Sequence, residues 1–161
     1  MEYLIQFSVS FIAVSCLAVI FNAPIKLIPQ CGIVGAVAWT VNYTLTQNGV
    51  DAIQSSFVGA FIVAIIAHLF ARIFKVPMLV FSVSGIISMV PGSIAYNAMR
   101  HMLELEYIMA LEFAMRAMMI AGAIALGLIC AEVCMTLFLK LIKRSTSIES
   151  FTYLKKARKL K

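Results

Sequence analysis

The sequence predicts an all-α integral membrane protein with five transmembrane helices, the N-terminus outside, the C-terminus inside and the fourth helix broken at Pro91-Gly92. Hydrophobic residues make up 63% of the 161 residues, against roughly 45–50% in a soluble domain. Charged residues make up 12%, which is too few to coat a soluble globule of this size. Apolar stretches recur along the chain, and their lengths are close to the roughly 20 residues needed to cross a bilayer.

Five apolar stretches are separated by short loops with turn or charge signals. They cover residues 3–21, 31–46, 54–74, 78–99 and 109–139. We assign residues 1–142 to a five-helix transmembrane domain and residues 143–161 to a basic cytoplasmic tail. The first stretch has no positively charged segment before it and no small-residue cleavage site after it, so we expect it to remain as a span.

The basic residues predict the orientation of the chain. With the N-terminus outside, the loops that carry Lys26, Arg72 and Lys75 and the tail from Lys140 all lie in the cytoplasm, as the positive-inside rule requires. The opposite orientation fails at nearly every loop. The net charge of +6 comes mainly from this tail, so we expect the tail to contact anionic lipid of the bilayer and the chain to bind no nucleic acid.

Small and polar residues recur at helical spacing in four of the stretches. Ser8, Ser15 and Asn22 repeat every seven residues in the first. Stripes with an interval of four follow in the second, third and fifth: Gly32, Ala36, Thr40 and Thr44; Ser56, Ala60, Ala64, His68 and Arg72; Ala123, Gly127 and Ala131. Because small residues let membrane helices approach closely, we expect all four stripes to face other protein. Taken singly, they indicate packing rather than transport.

The fourth stretch carries the strongest signal for a break. Pro77 stands where a helix favours its start. Pro91-Gly92 lies inside the stretch, where proline removes a backbone donor and clashes with the preceding turn. At about 1.5 Å per residue, Pro91 lies roughly 20 Å from the cytoplasmic start, slightly past the middle of a hydrocarbon core about 30 Å thick.

A helix that restarts at Pro91 presents free N–H groups at Gly92, Ser93 and Ile94, together with the positive end of its dipole. Such a helix end binds anions, and discontinuous helices with this geometry recur in secondary transporters. The hydroxyls of Ser84 and Ser88 lie near the break. The alternative is a proline kink that serves only packing.

Several motifs resemble those of a known family. The run Phe21-Asn22-Ala23-Pro24, Pro77 at the start of the fourth stretch, and Val90-Pro91-Gly92 followed by Tyr96 resemble the small subunit of the bacterial threonine/serine exporter family. The resemblance covers about residues 5–142 and extends to the short subunit of a two-component succinate exporter. Single-chain members resemble a fusion of two halves, of which this sequence is similar to the C-terminal one.

The resemblance implies ion-driven export of a small carboxylate, either threonine or serine or a succinate-like dicarboxylate, across a bacterial inner membrane. It also implies a larger membrane subunit as partner, and a five-span second half would insert with inverted topology. Where some relatives carry a further proline, this chain has Ser88, which leaves the shape of the break and the substrate open. The residues that we assign to substrate binding are Ser88, Pro91, Gly92, Ser93, Tyr96, Asn22 and Asn42.

Four titratable residues are candidates for gating or proton coupling. Glu112 and Arg116 are spaced i,i+4 near the outer surface, where they form either an outer gate or a plain interfacial ion pair. Glu132 lies near the inner boundary, where an ionisable group is a functional candidate that also has water within reach. His68 lies one turn inside Arg72; it either carries protons or is merely solvated.

Other functional classes find little support. The sequence has no HExxH or Gly-x-Ser-x-Gly motif, and its single aspartate, Asp51, falls in an outer loop, so we expect no enzyme. We expect no cofactor and no metal, because the cysteines form no CxxC pair and the methionines lack paired Cys or His ligands. The open alternatives are a non-transporting membrane scaffold subunit and a homo-oligomeric channel.

Overall fold

The computed structural model describes the backbone of residues 2–158 and the side chains of residues 2–140. Within this part, the chain is helical and contains no strand, which confirms the predicted all-α class. Six helices follow one another: α1 (Glu2–Ile20), α2 (Ile28–Gln47), α3 (Ala52–Phe74), α4 (Leu79–Ile86), α5 (Gly92–Leu103) and α6 (Tyr107–Arg158). Short 3-10 turns, Ile25–Leu27 and Ile87–Met89, precede α2 and follow α4. The side chains of the predicted basic tail lie outside the described residues.

Four helices end in the same kind of turn. Asn22, Gly49, Lys75 and Leu105 follow α1, α2, α3 and α5 with φ values of 55°, 83°, 54° and 62°. In each turn the next residue donates its N–H to the carbonyl five positions earlier, at 2.9 to 3.2 Å. These bonds satisfy carbonyl groups that a helix end otherwise leaves free. The helices therefore stop sharply and reverse over short loops.

Helix α2 lies at the centre of the bundle and packs against α1, α3 and α4, while α6 packs along α3. Glycines permit the closest contacts. A Cβ atom on Gly35 would collide with Val14 of α1, and one on Gly127 would lie 2.6 Å from the carbonyl oxygen of Phe57. The core between the helices is built from small and branched side chains. It includes Cys31, Val34, Ala38, Ala60, Val63, Ala67 and Phe81.

Three of the four predicted stripes face protein, at least in their central residues. The buried members are Gly32, Ala36, Ser56, Ala60, Ala64, Ala123, Gly127 and Ala131. The prediction for α1 holds only at Ser15, which lies against Gly32 of α2. Ser8 and Asn22 are exposed, and the helix buries Ser10, Val14 and Ala18. Ser8 donates its hydroxyl to the carbonyl of Leu4 at 2.8 Å, so it needs no partner from another helix.

Length and composition allow three of the described helices to cross a membrane: α1, α3 and the part of α6 from Tyr107 to Lys140. The pair Leu79–Met89 and Gly92–Leu103, bent by 50°, provides a fourth crossing if it counts as one span. The 20-residue α2 is not among them. It carries Thr40, Asn42 and Thr44, which a central helix tolerates because other helices shield it from lipid. The prediction of five spans is therefore not confirmed.

Candidate functional site

The fourth apolar stretch breaks where the sequence predicts. Helix α4 ends at Ile86, a 3-10 turn follows, and the chain then passes through Val90 (φ −59°, ψ 129°) and Pro91 (φ −75°, ψ 52°) before α5 begins at Gly92. Proline has no N–H for a continuing helix and disfavours helical geometry in the residue before it. The two helices consequently meet at a bend of 50°.

The α4 side of the break, just before Pro91, is anchored in the bundle. Met89 is 5% exposed, and its side chain fills the space over Gly59 of α3. The hydroxyl of Ser88 donates to the carbonyl of Gly85 at 2.9 Å, and its oxygen lies 3.4 Å from the carbonyl oxygen of Gly35 on α2. The position of the chain just before Pro91 is thus fixed by both α2 and α3.

The α5 side of the break is open to the surface of the chain. No residue of α5 is buried, and among the other helices α5 packs mainly against α6. Gly92, Ser93 and Tyr96 are exposed, and a Cβ atom added to Gly92 would meet nothing within 4 Å. The first turn of α5 therefore lies on an uncovered surface of this chain and not in a closed cavity.

The first turn of α5 presents unpaired backbone donors. The N–H of Gly92 donates to the carbonyl of Val90 at 2.7 Å, and the first helical bond runs from Ala95 to Pro91 at 3.0 Å. Pro91 offers no side-chain cap. The N–H groups of Ser93 and Ile94 are therefore left free by the helix, at the positive end of its dipole. Chemically, such a turn can bind a carboxylate or another small anion.

Asn42 lies in a different polar cluster, between α2 and α3. Its side-chain oxygen accepts a hydrogen bond from Ser55 at 3.2 Å, and its amide donates to Ser56 at 3.3 Å. Both serines are buried, with 0% and 3% exposure. The cluster lies one helical turn from Gly59, whose open side Met89 covers. The structure thus engages the amide of Asn42 in packing between α2 and α3.

Asn22 lies at the other end of the fourth segment. It is exposed and lines a groove of about 270 Å³ together with Pro24, Leu79 and Val83. Val83 precedes Pro91 by eight residues, which corresponds to about 12 Å along a helix. The structure therefore does not bring Asn22 to the break.

The four titratable candidates are spread over two helices. Glu112, Arg116 and Glu132 are exposed on α6, and the first and last of them are separated by about 30 Å of helix. Of the described side chains, Glu112 and Arg116 form no ion pair within 4 Å of each other. His68 is half-buried on α3, with its Nδ1 atom 3.1 Å from the carbonyl of Ala64. None of them contacts the break directly.

Sequence analysis missed a charged cluster at the turn between α5 and α6. Nε of Arg100 lies 2.9 Å from Oε1 of Glu104, and Nδ1 of His101 lies 2.8 Å from Oε2 of Glu106. The His101 ring stacks on Phe113 with centroids 5.3 Å apart. The spacing of Arg100 and Glu104 is visible in the sequence, whereas the His101–Glu106 contact depends on the left-handed conformation of Leu105.

This cluster also contains the three described side chains that could best hold a cation. The ligand atoms of His101, Glu104 and Glu106 all lie within 4.8 Å of one another. Arg100 already neutralises one of the two carboxylates. The arrangement is accounted for as the Arg100–Glu104 ion pair and the His101–Glu106 contact, which together close the turn.

Comparison with known proteins supplies the family. No solved structure matches this chain. A family model described as Threonine/Serine exporter, ThrE, matches residues 6–134. The matched region contains most of α1, the starts of α2 to α6 and the break at Pro91-Gly92, and it covers well over half of the chain. The chain therefore belongs to the threonine/serine exporter family of membrane exporters.

Proposed function

We propose that this chain is one subunit of a secondary-active exporter of small carboxylates, threonine and serine or a succinate-like dicarboxylate, coupled to an ion gradient. One observation carries the proposal. The fourth segment breaks inside the apolar part of the chain and leaves the N–H groups of Ser93 and Ile94 free. Within a bilayer, such groups need water, protein or a ligand as partner. A carboxylate satisfies both the hydrogen bonds and the helix dipole.

The substrate site in this proposal is the open face of the first turn and a half of α5. Gly92 and Tyr96 are spaced i,i+4 and lie on one face of the helix. The Ser93 hydroxyl and the Tyr96 phenol add side-chain hydrogen-bonding groups next to the backbone donors. Ser88 and Pro91 shape the break from the α4 side, because the Ser88 hydroxyl is already engaged with the carbonyl of Gly85.

A second protein surface is needed to complete this site. The first turn of α5 is uncovered in this chain, and lipid cannot satisfy its polar groups. We assign the covering surface to a larger membrane subunit of the same family, inserted with inverted topology.

The proposed membrane arrangement has five crossings in a bacterial inner membrane. Four are α1, α3, α6 and the bent pair of α4 and α5, and the shielded α2 provides the fifth. The N-terminus then lies outside, and the turns that carry Lys26 and Arg72 lie inside, in agreement with the positive-inside rule. In this arrangement Glu132 and His68 lie toward the inner side, and together with Glu112 and Arg116 they are candidates for ion coupling.

A glycine substitution tests the site without disturbing the fold. Gly92→Val places a side chain over the free N–H groups, and because a Cβ atom there meets nothing within 4 Å, the chain itself has room for it. We expect efflux of the transported solute to fall at least about tenfold, the equivalent of roughly 1.4 kcal/mol. Labelled serine, threonine and succinate are measured separately in vesicles that hold this chain and its larger partner.

The matched control is Gly122→Val on α6, where an added Cβ atom also meets nothing within 4 Å. It should export at the wild-type rate. If Gly92→Val assembles normally and exports like the control, the assignment of the site to α5 is wrong.

A further inference from the structure

We propose that Met89 is a positioning residue. Its contact with Gly59 fixes where the fourth segment breaks and so sets the position and orientation of the first turn of α5. This inference rests on the proposed function, because it treats that turn as the substrate site. It assigns a role in transport to a residue that touches neither the substrate nor the free N–H groups.

Met89 fits against α3 in this way only because residue 59 is a glycine. A Cβ atom on Gly59 would collide with the Cε atom of Met89 and would lie 3.0 Å from its Sδ atom and 3.5 Å from the carbonyl oxygen of Ala38. Met89 is 5% exposed, so its side chain has little free space in which to move aside. The thioether occupies the volume that the missing side chain of Gly59 leaves between α2 and α3.

The neighbouring residues hold the same turn against the same two helices. The Ser88 hydroxyl lies 3.4 Å from the carbonyl oxygen of Gly35 on α2. A Cβ atom on Gly85 would lie 2.8 Å from both Val34 of α2 and Val63 of α3. All of these contacts precede Pro91, and Met89 is the last side chain before the break that is buried.

The position of Met89 determines where α5 starts. Gly92 follows Met89 by three residues, and α5 has no comparable packing on α1, α2 or α3. A displacement of the turn Ile87–Met89 therefore passes directly to the N–H groups of Ser93 and Ile94. Since a misplacement on the order of 1 Å costs up to about 100-fold in the rate of a well-oriented site, a small shift has a measurable effect.

A pair of complementary substitutions tests the contact. Gly59→Ala pushes Met89 out of its place, and the chain should still fold, because the colliding atom is the end of a flexible side chain. We expect export to fall about threefold to thirtyfold. Met89→Val removes both the Sδ and the Cε atom, so the double variant Gly59→Ala/Met89→Val should recover most of the loss. Gly122→Ala, in open space on α6, is the control.

A spin-label distance measures the position of α5 without transport. Labels are attached to cysteines at Leu69 of α3 and Met99 of α5, both exposed. The host is the full chain with its partner, with the exposed Cys16, Cys130 and Cys134 replaced by alanine. We expect Gly59→Ala to shift the distance between the labels and the double variant to restore it.

The outcomes separate this inference from the proposed function. If Gly59→Ala changes neither the distance nor export, or if Met89→Val does not reverse the change, the positioning role is wrong. If the distance shifts and is restored while no form of the protein exports serine, threonine or succinate, the positioning role holds and the proposed function fails.

Discussion

The two halves of the broken fourth segment differ in how they are held. Helix α4 has eight residues and buries Phe81, Ser82, Ser84 and Gly85, whereas α5 has twelve residues and buries none. The exposed apolar side chains of α5 need no special account in a membrane protein, since lipid covers them. The free N–H groups at its first turn do, because lipid cannot pair with them. The proposed substrate surface therefore lies at the start of the loosely held half.

Helix α6 shows the same contrast along its length. Between Ala123 and Ala131 the buried residues include Ala123, Gly127 and Ala131, and Gly127 contacts α3 closely. Nearer its N-terminus, α6 instead packs against α5, with a groove of about 320 Å³ between them lined by residues such as Met102 and Ala110. Helix α6 thus packs closely on α3 along one part of its length and leaves a groove beside α5 along another.

The largest loss of stability is expected where α6 packs most closely on α3. In Gly127→Leu the new side chain meets the carbonyl oxygen of Phe57 at 2.6 Å and the backbone nitrogen of Phe61 at 3.3 Å. Backbone atoms of a packed helix cannot move aside, so we expect a loss of about 3 kcal/mol in the free energy of unfolding. Denaturant titration of the purified protein in detergent measures this loss.

The same substitution at an uncrowded position of α6 provides the comparison for Gly127→Leu. Gly122→Leu lies 5 residues earlier on α6, where an added Cβ atom meets nothing within 4 Å. It should leave the denaturation midpoint unchanged. Equal midpoints for the two variants would show that α6 does not pack on α3 through Gly127.

A smaller effect is expected in the polar cluster between α2 and α3. Asn42→Ala removes the hydrogen bonds to Ser55 and Ser56. Hydrogen bonds between membrane helices average about 0.6 kcal/mol, so we expect a loss of about 1 kcal/mol in the free energy of unfolding. Export per folded molecule should stay near the wild-type rate, because Asn42 is engaged between α2 and α3. A tenfold loss of export at unchanged stability would instead place Asn42 in the substrate site.

Local chemistry explains what the sequence could predict. The apolar stretches can be read directly from the sequence. The break can be predicted because the missing N–H of Pro91 acts within a few residues of chain. The stripe of Ser8, Ser15 and Asn22 predicted a helix contact correctly only at Ser15, which lies against Gly32 of α2. Ser8 bonds to its own backbone and needs no partner from another helix. The three stripes with an interval of four succeeded, because small residues at that spacing have packing as their main use.

The rest of the site depends on tertiary packing, which no local pattern records. Gly92 and Ser93 could be predicted as the start of a helix, but not that their outer side is open. The contact of Met89 with Gly59 joins residues 30 positions apart. The approach of His101 to Glu106 requires a left-handed leucine between them, a conformation that leucine rarely adopts.

Substrate protection of a single thiol tests the central claim most directly. Ser93→Cys is placed in a protein whose exposed native cysteines, Cys16, Cys130 and Cys134, are replaced by alanine, and its reaction with a charged maleimide is timed in vesicles that hold the partner subunit. If the first turn of α5 binds the carboxylate, saturating substrate slows the reaction at Ser93→Cys and leaves the reaction of Met99→Cys, farther along α5, unchanged. Equal rates at Ser93→Cys with and without substrate, in a protein that still exports, would contradict the account.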